Sequence, residues 1–157
     1  MIMQEGVGGM TRQLPLEERV GYVLKQVQQA LRTAMDGALR QHGLSTPQYS
    51  VLQVLEEDPG LSGAALARRC FVTAQTANEM VTHLERIGLI ERHRSDDARV
   101  LRTYLTPEGR RLVQACDQMV TALEERMVSR LSETERQQLI EHLQQCAEAL
   151  DDAREPR

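Results

Sequence analysis

Aromatic side chains are nearly missing from this chain: one Phe, three Tyr and no Trp among 157 residues. A core must therefore be built from Leu, Val, Ile, Ala and Met. Long apolar runs are missing too. None approaches the roughly eighteen residues of a membrane span, and Met1–Gln13 lacks the apolar block of a signal peptide. A cytoplasmic protein without a membrane partner is expected. The three cysteines, Cys70, Cys116 and Cys146, show no metal or redox spacing. Each falls at an apolar-periodic or near-core position, so packing is the expected role. His142 and Cys146 lie four apart on one helical face, but no second pair stands nearby to complete a zinc site. Phosphate-cradling glycine loops, nucleophile elbows and paired-histidine motifs are absent. The expectation is no catalytic residue, no metal and no cofactor, and an enzyme is the least favoured class.

An excess of positive charge is also lacking, since the net charge is −4. Taken whole, that argues against a nucleic-acid partner. The distribution argues otherwise. Residues 62–111 hold nine Arg against six acids, or +3, and the remainder holds ten basic against seventeen acidic residues, or −7. A local basic face governs phosphate contact more than the total does.

That basic stretch carries the most ordered pattern. A short helix opens at Ser62, breaks at Cys70-Phe71-Val72, and a second helix runs from Thr73 to Ile87, where Gly88 stops it. Two extended runs follow, Leu89–Arg94 and Val100–Leu105, joined by a charged tip. Helix, turn, helix and ribbon is the order of a winged helix-turn-helix, which sets one helix into a DNA groove. At 100° per residue, Ala77, Met80, Val81, Leu84 and Ile87 share an inward face. Gln75, Glu79, Thr82 and Arg86 face outward, with Asn78 and His83 on the flanks. Thr73 suits an N-cap, leaving Thr76 in the first turn, and helix-start amides favour a phosphate. Gln and Asn pair in bidentate fashion with adenine, so Gln75 and Asn78 are the candidate base readers. At the wing tip, Arg94 and Arg99 suit a minor groove, and Asp97 stands close enough to Arg99 to aim it. The plain alternative is a polar surface helix beside an ordinary polar hairpin.

Long helices flank this module. The first is expected from Pro15 to His42, with Val20, Leu24, Val27, Leu31, Met35 and Ala38 as its stripe and Gly43 past its end. Thr46-Pro47 reads as the cap and first residue of the next helix, which Asp58-Pro59-Gly60 ends. Thr106-Pro107 launches a long helix with the stripe Leu112, Cys116, Met119, Leu123 and Met127. Ser132 and Glu135 form a capping box before a last helix carrying Leu139, Leu143, Cys146 and Leu150. The stripes exceed what one small core covers, so an intertwined homodimer is expected, with an intramolecular bundle as the alternative.

The fold class is thus mainly α (α+β): a winged helix-turn-helix with long flanking helices forming a dimerisation region. The division places a flexible tail at 1–13, the dimerisation region at 14–45 and 107–150, the winged module at 46–106 and a polar tail at 151–157.

The helix order, the exit Gly88-Leu89-Ile90-Glu91-Arg92, the Asp97-x-Arg99 wing and Leu105-Thr106-x-x-Gly109 resemble the MarR family of bacterial repressors across about residues 16–150. Ala98 stands where that family often has Arg. The resemblance implies a homodimeric regulator, in first expectation a repressor, of a palindromic double-stranded DNA site. Its DNA-contacting set would be Ser62, Thr73, Gln75, Thr76, Asn78, Glu79, Thr82, His83, Arg86, Arg94, Asp97 and Arg99. It also implies release by a small aromatic or anionic effector bound between the dimerisation helices and the winged module. The candidates there are Met35, Leu39, His42, Tyr49, Leu52 and Met119, whose helical spacing suits ordinary core equally well. Two further readings stand beside this one: a winged protein-interaction scaffold without DNA binding, and a thiol-based redox-sensing regulator.

Overall fold

The computed structural model describes residues 14–96 and 99–151. The two expected tails and Asp97 therefore lie largely or wholly outside the described residues. Helix α1 spans Val20–Leu39, later than expected, because residues 16–18 form a single 3-10 turn and Arg19 is extended. No short polar side chain caps its start. The helix closes through a 3-10 turn onto Gly43, whose φ of 70° is the left-handed conformation that glycine adopts without a Cβ clash.

Helix α2 covers Thr46–Glu57, and its cap differs from the expected one. Ser45 is the N-cap, closing a reciprocal box with Gln48, so Thr46 is the first helical residue and Pro47 the second. Thr46 instead ties α2 to α1: its hydroxyl donates to Asp36 at 2.5 Å and its amide at 3.2 Å. Those two bonds, the hydroxyl's first, hold the Asp36 carboxyl below its usual range.

Strand β1 (Leu61–Ser62) leads into α3 (Gly63–Arg69), capped by Ser62, whose side chain accepts from the Ala65 amide. Phe71, in the following turn, has a φ of 55° and is 95% exposed. Helix α4 is Ala74–Arg86, capped by Thr73 and ended by Gly88 at φ 79°. Strands β2 (Ile90–Arg94) and β3 (Leu101–Leu105) pair antiparallel with Ile90 opposite Leu105 and Arg94 opposite Leu101. β1 adds to the far side of β3, giving the order β1-β3-β2. Thr106 caps α5 (Pro107–Met127) and donates its hydroxyl to the Gly88 carbonyl at 2.7 Å. Helix α6 is Glu133–Asp151, started by a Ser132–Glu135 box.

The core joins these pieces. Leu39, Tyr49, Leu52, Leu66, Leu84, Ile90, Val113 and Cys116 are nearly or wholly excluded from solvent. α5 meets this core along Val113, Cys116 and Val120, one edge of a broad apolar arc. The expected line through Leu112, Met119 and Leu123 is half-buried on the other edge, and Met127 is exposed. Val20, Leu24 and Val27 of α1 and Leu139, Leu143 and Leu150 of α6 are also exposed within the subunit. Cys146 shares that exposure, contrary to its expected packing role, because no element among the described residues buries α6. Burial pushes the Cys70 and Cys116 thiols up, which keeps both protonated at neutral pH.

Candidate nucleic-acid interface

α4 divides cleanly into two faces. Ala77, Val81 and Leu84 are buried against the core, and Met80 is half-buried. Ile87, expected on the same face, is 46% exposed because it forms the C-cap at which the helix turns away. Gln75, Thr76, Asn78, Glu79, Thr82 and Arg86 are all exposed along the opposite side, with His83 half-buried at its edge. Thr73 accepts the Thr76 amide at 3.1 Å and donates its hydroxyl to the Thr76 oxygen at 2.9 Å. Gln75 donates to Glu79 at 3.1 Å, and Arg86 donates to His83 Nδ1 at 2.9 Å. Ser62 is half-buried, with its oxygen turned to the start of α3.

The wing packs against α4 through β2. Arg94 ends β2, Arg99 precedes β3, and both are exposed. The amide of Ser95 donates to the Val100 carbonyl at 2.9 Å, closing the base of the tip. Asp97, the residue expected to aim Arg99, is outside the described residues. The His93 and Tyr104 rings meet at a tilt across β2 and β3 with centroids 5.6 Å apart, and His93 Nε2 lies 3.1 Å from Glu91.

One connection escaped the reading of the residues. Arg92 on β2 binds Glu85 on α4, its Nε donating at 2.9 Å, so the wing is anchored to the helix beside it. That hydrogen bond, with the arginine's charge, holds the Glu85 carboxyl below its ordinary value. Spacing alone does not announce this pair, since it closes across the Gly88 turn. Arg69 reaches Glu57 at 2.5 Å and Asp58 at 3.7 Å, so its guanidinium faces the end of α2. Arg102 donates to the Gly60 carbonyl at 3.2 Å, bracing β3 against the loop before β1.

The expected effector residues divide differently. Leu39, Tyr49 and Leu52 are sealed in the core. His42 and Met119 are half-buried, and Met119 lies beside Gln41. Met35 reaches a cleft of about 400 Å³ between α1, α2 and the α3–α4 turn, walled also by Leu31, Arg32, Pro47, Phe71 and Val72. The long helix after the wing does not line this cleft. Tyr49 donates its hydroxyl to Asp117 at 2.6 Å, which closes α2 onto α5 on that side.

A two-faced helix, a preceding helix and turn, and a wing anchored at its base define a winged helix-turn-helix protein. The MarR family model matches residues 42–99. The transcriptional repressor Rv2887 of Mycobacterium tuberculosis is 37% identical over 114 residues, which is 72% of this chain and 82% of the relative. Its structure in complex with p-aminosalicylic acid superposes with a TM-score of 0.67 at 33% identity, covering 82% of this chain and 98% of that one. CouR from Rhodococcus jostii, bound to p-coumaroyl-CoA, superposes with a TM-score of 0.77 at 27% identity, covering 86% and 96%. Rv2887 and CouR have each also been solved with DNA. The chain belongs to the MarR family of transcriptional regulators.

Proposed function

We propose that the chain is a DNA-binding transcriptional repressor that grips a palindromic operator as a homodimer and releases it on binding a small aromatic acid. The observation that carries this reading is the exposed polar face of α4, joined through Arg92 and Glu85 to a wing whose Arg94 and Arg99 are also exposed. α4 enters a major groove, where Asn78 and Gln75 meet base edges and Thr73, Thr76, Thr82, His83 and Arg86 meet bases or phosphates. Arg94 and Arg99 reach the neighbouring minor groove. Residues 14–45 and 107–150 form the dimerisation region: the apolar faces of α1 and α6, exposed in the single subunit, are the surfaces a second copy covers. A two-fold pair sets two α4 helices about 34–36 Å apart, one turn of the duplex. Such a regulator works in the cytoplasm, where the bacterial chromosome is.

The cleft between α1, α2 and the α3–α4 turn is the effector site. It offers apolar walls and the Arg32 guanidinium for a carboxylate, and it touches both α1 of the dimerisation region and the turn between the DNA-reading helices. The ligands in the Rv2887 and CouR complexes support an aromatic class.

Fluorescence anisotropy on a duplex enriched from a random library tests the assignment. Arg99→Ala weakens binding through a lost minor-groove contact, and Asn78→Ala costs about 1–3 kcal/mol at one base position. Salicylate releases the wild type and acts less on Arg32→Ala. Variants that bind like wild type would place the reading surface elsewhere.

A further inference from the structure

Several acids near α3, α4 and the wing meet basic side chains. Arg92 binds Glu85, His93 lies against Glu91, Arg110 reaches Glu56, and Arg69 reaches Glu57 and Asp58. Glu79 is different. It sits midway along the exposed face of α4 and enters no ion pair among the described residues. Its partner is the Gln75 amide, one turn earlier, which donates to Oε1 at 3.1 Å.

A carboxylate in that place repels the phosphates of any duplex that docks on α4. Docking is favourable there only if the duplex supplies a donor to the carboxylate. In the major groove guanine shows two acceptors and thymine shows an acceptor and a methyl group. Adenine sets its N7 acceptor beside its amino group, which repels a second carboxylate oxygen. Cytosine shows its N4 amino group alone, a donor matched to a group with no proton to give. The Gln75 amide holds one Glu79 oxygen and leaves the other to meet the base.

On the reading of this chain as a DNA-binding regulator, we propose that Glu79 is a specificity-determining residue. It accepts a hydrogen bond from the N4 amino group of a cytosine in each operator half-site, and Gln75 positions its carboxylate. In a two-fold complex the two glutamates meet symmetry-related base pairs. The operator therefore carries a cytosine on one strand of one half and on the opposite strand of the other.

Selection of duplexes from a randomised library by the full-length wild type and by Glu79→Gln tests this, with affinities then measured by anisotropy. The wild-type motif contains the symmetric cytosine, and replacing it weakens binding on the order of tenfold. Glu79→Gln keeps the side chain's shape but adds an N–H, so preference at that position moves from cytosine to adenine while the other positions hold. Gln75→Ala keeps the cytosine with a smaller penalty for replacing it. Matching thermal unfolding of the three proteins confirms that these exposed substitutions leave the fold intact. If Glu79→Gln selects the wild-type motif and binds every duplex more tightly by one common factor, Glu79 is a solvated acid, and the proposal fails while DNA binding stands. If the wild type enriches no duplex, the DNA-binding reading fails and this proposal with it.

Discussion

Tyr49 is the largest fully buried side chain, and its one polar atom meets Asp117 across the α2–α5 junction at 2.6 Å. Burial first, then this bond, pushes the phenol far above its ordinary value, so it stays a donor at every working pH. Tyr49→Phe leaves the half-buried carboxylate without that donor, and urea denaturation should show a loss of about 1.5–3 kcal/mol. Glu85 makes a second, pH-dependent contribution. Its carboxyl is held below the ordinary 4.5 by the Arg92 bond. The stability from that pair is present above 4.5 and disappears as pH falls through the folded value. Wild type should therefore lose more stability than Glu85→Gln as the pH is taken downward from 4.5, as read from urea midpoints. Many such local roles were legible. Ser62, Thr73, Thr106 and Ser132 cap helices as their spacing indicated. Ser45 and Thr46 are adjacent hydroxyls, and the Thr46-Pro47 pair drew the assignment one residue too far. The Ser45-x-x-Gln48 box, visible in the residues, was the better signal.

At the scale of elements, the turn from β3 into α5 decides how the wing sits. Gly109 packs in the first turn of α5, where an added Cβ would overlap the Leu89 carbonyl oxygen, a backbone atom that cannot step aside. Leu89 also accepts the Thr106 amide at 3.1 Å, so the same carbonyl joins the α4 exit to the α5 start. Gly109→Ala should destabilise the protein by about 1–3 kcal/mol or more in thermal or urea unfolding. Retention of full stability would show that this junction is looser than its contacts indicate. Helix and strand order was legible because hydrophobic period and turn residues agree there. The buried line of α5 was not, because its apolar arc is broad enough for two parallel stripes that share Cys116. The packing of α5 against both α1 and α2 decides that Val113 and Val120 take the core. The cleft between α1, α2 and the α3–α4 turn was not legible for a related reason. Tyr49 and Leu52 read as pocket or core at one spacing, and the α3–α4 turn, which walls the cleft, carries no periodicity at all.

The whole molecule is acidic with one basic region, and it leaves long apolar faces on α1 and α6 uncovered in the single chain. Both features fit one arrangement: two copies joined through those faces, each presenting α4 and its wing to the same side of a duplex while the acidic remainder is held away. The uneven charge and the over-long stripes could be read from the residues. The Arg92–Glu85 anchor, which sets the wing against α4, could not, because it depends on how the chain doubles back at Gly88. Sedimentation equilibrium of the protein on a selected duplex with half-sites one helical turn apart tests this arrangement most directly. The account predicts a mass of two chains per duplex, with no one-chain complex at limiting protein. A complex of one chain on one duplex, or no complex at all, would contradict it.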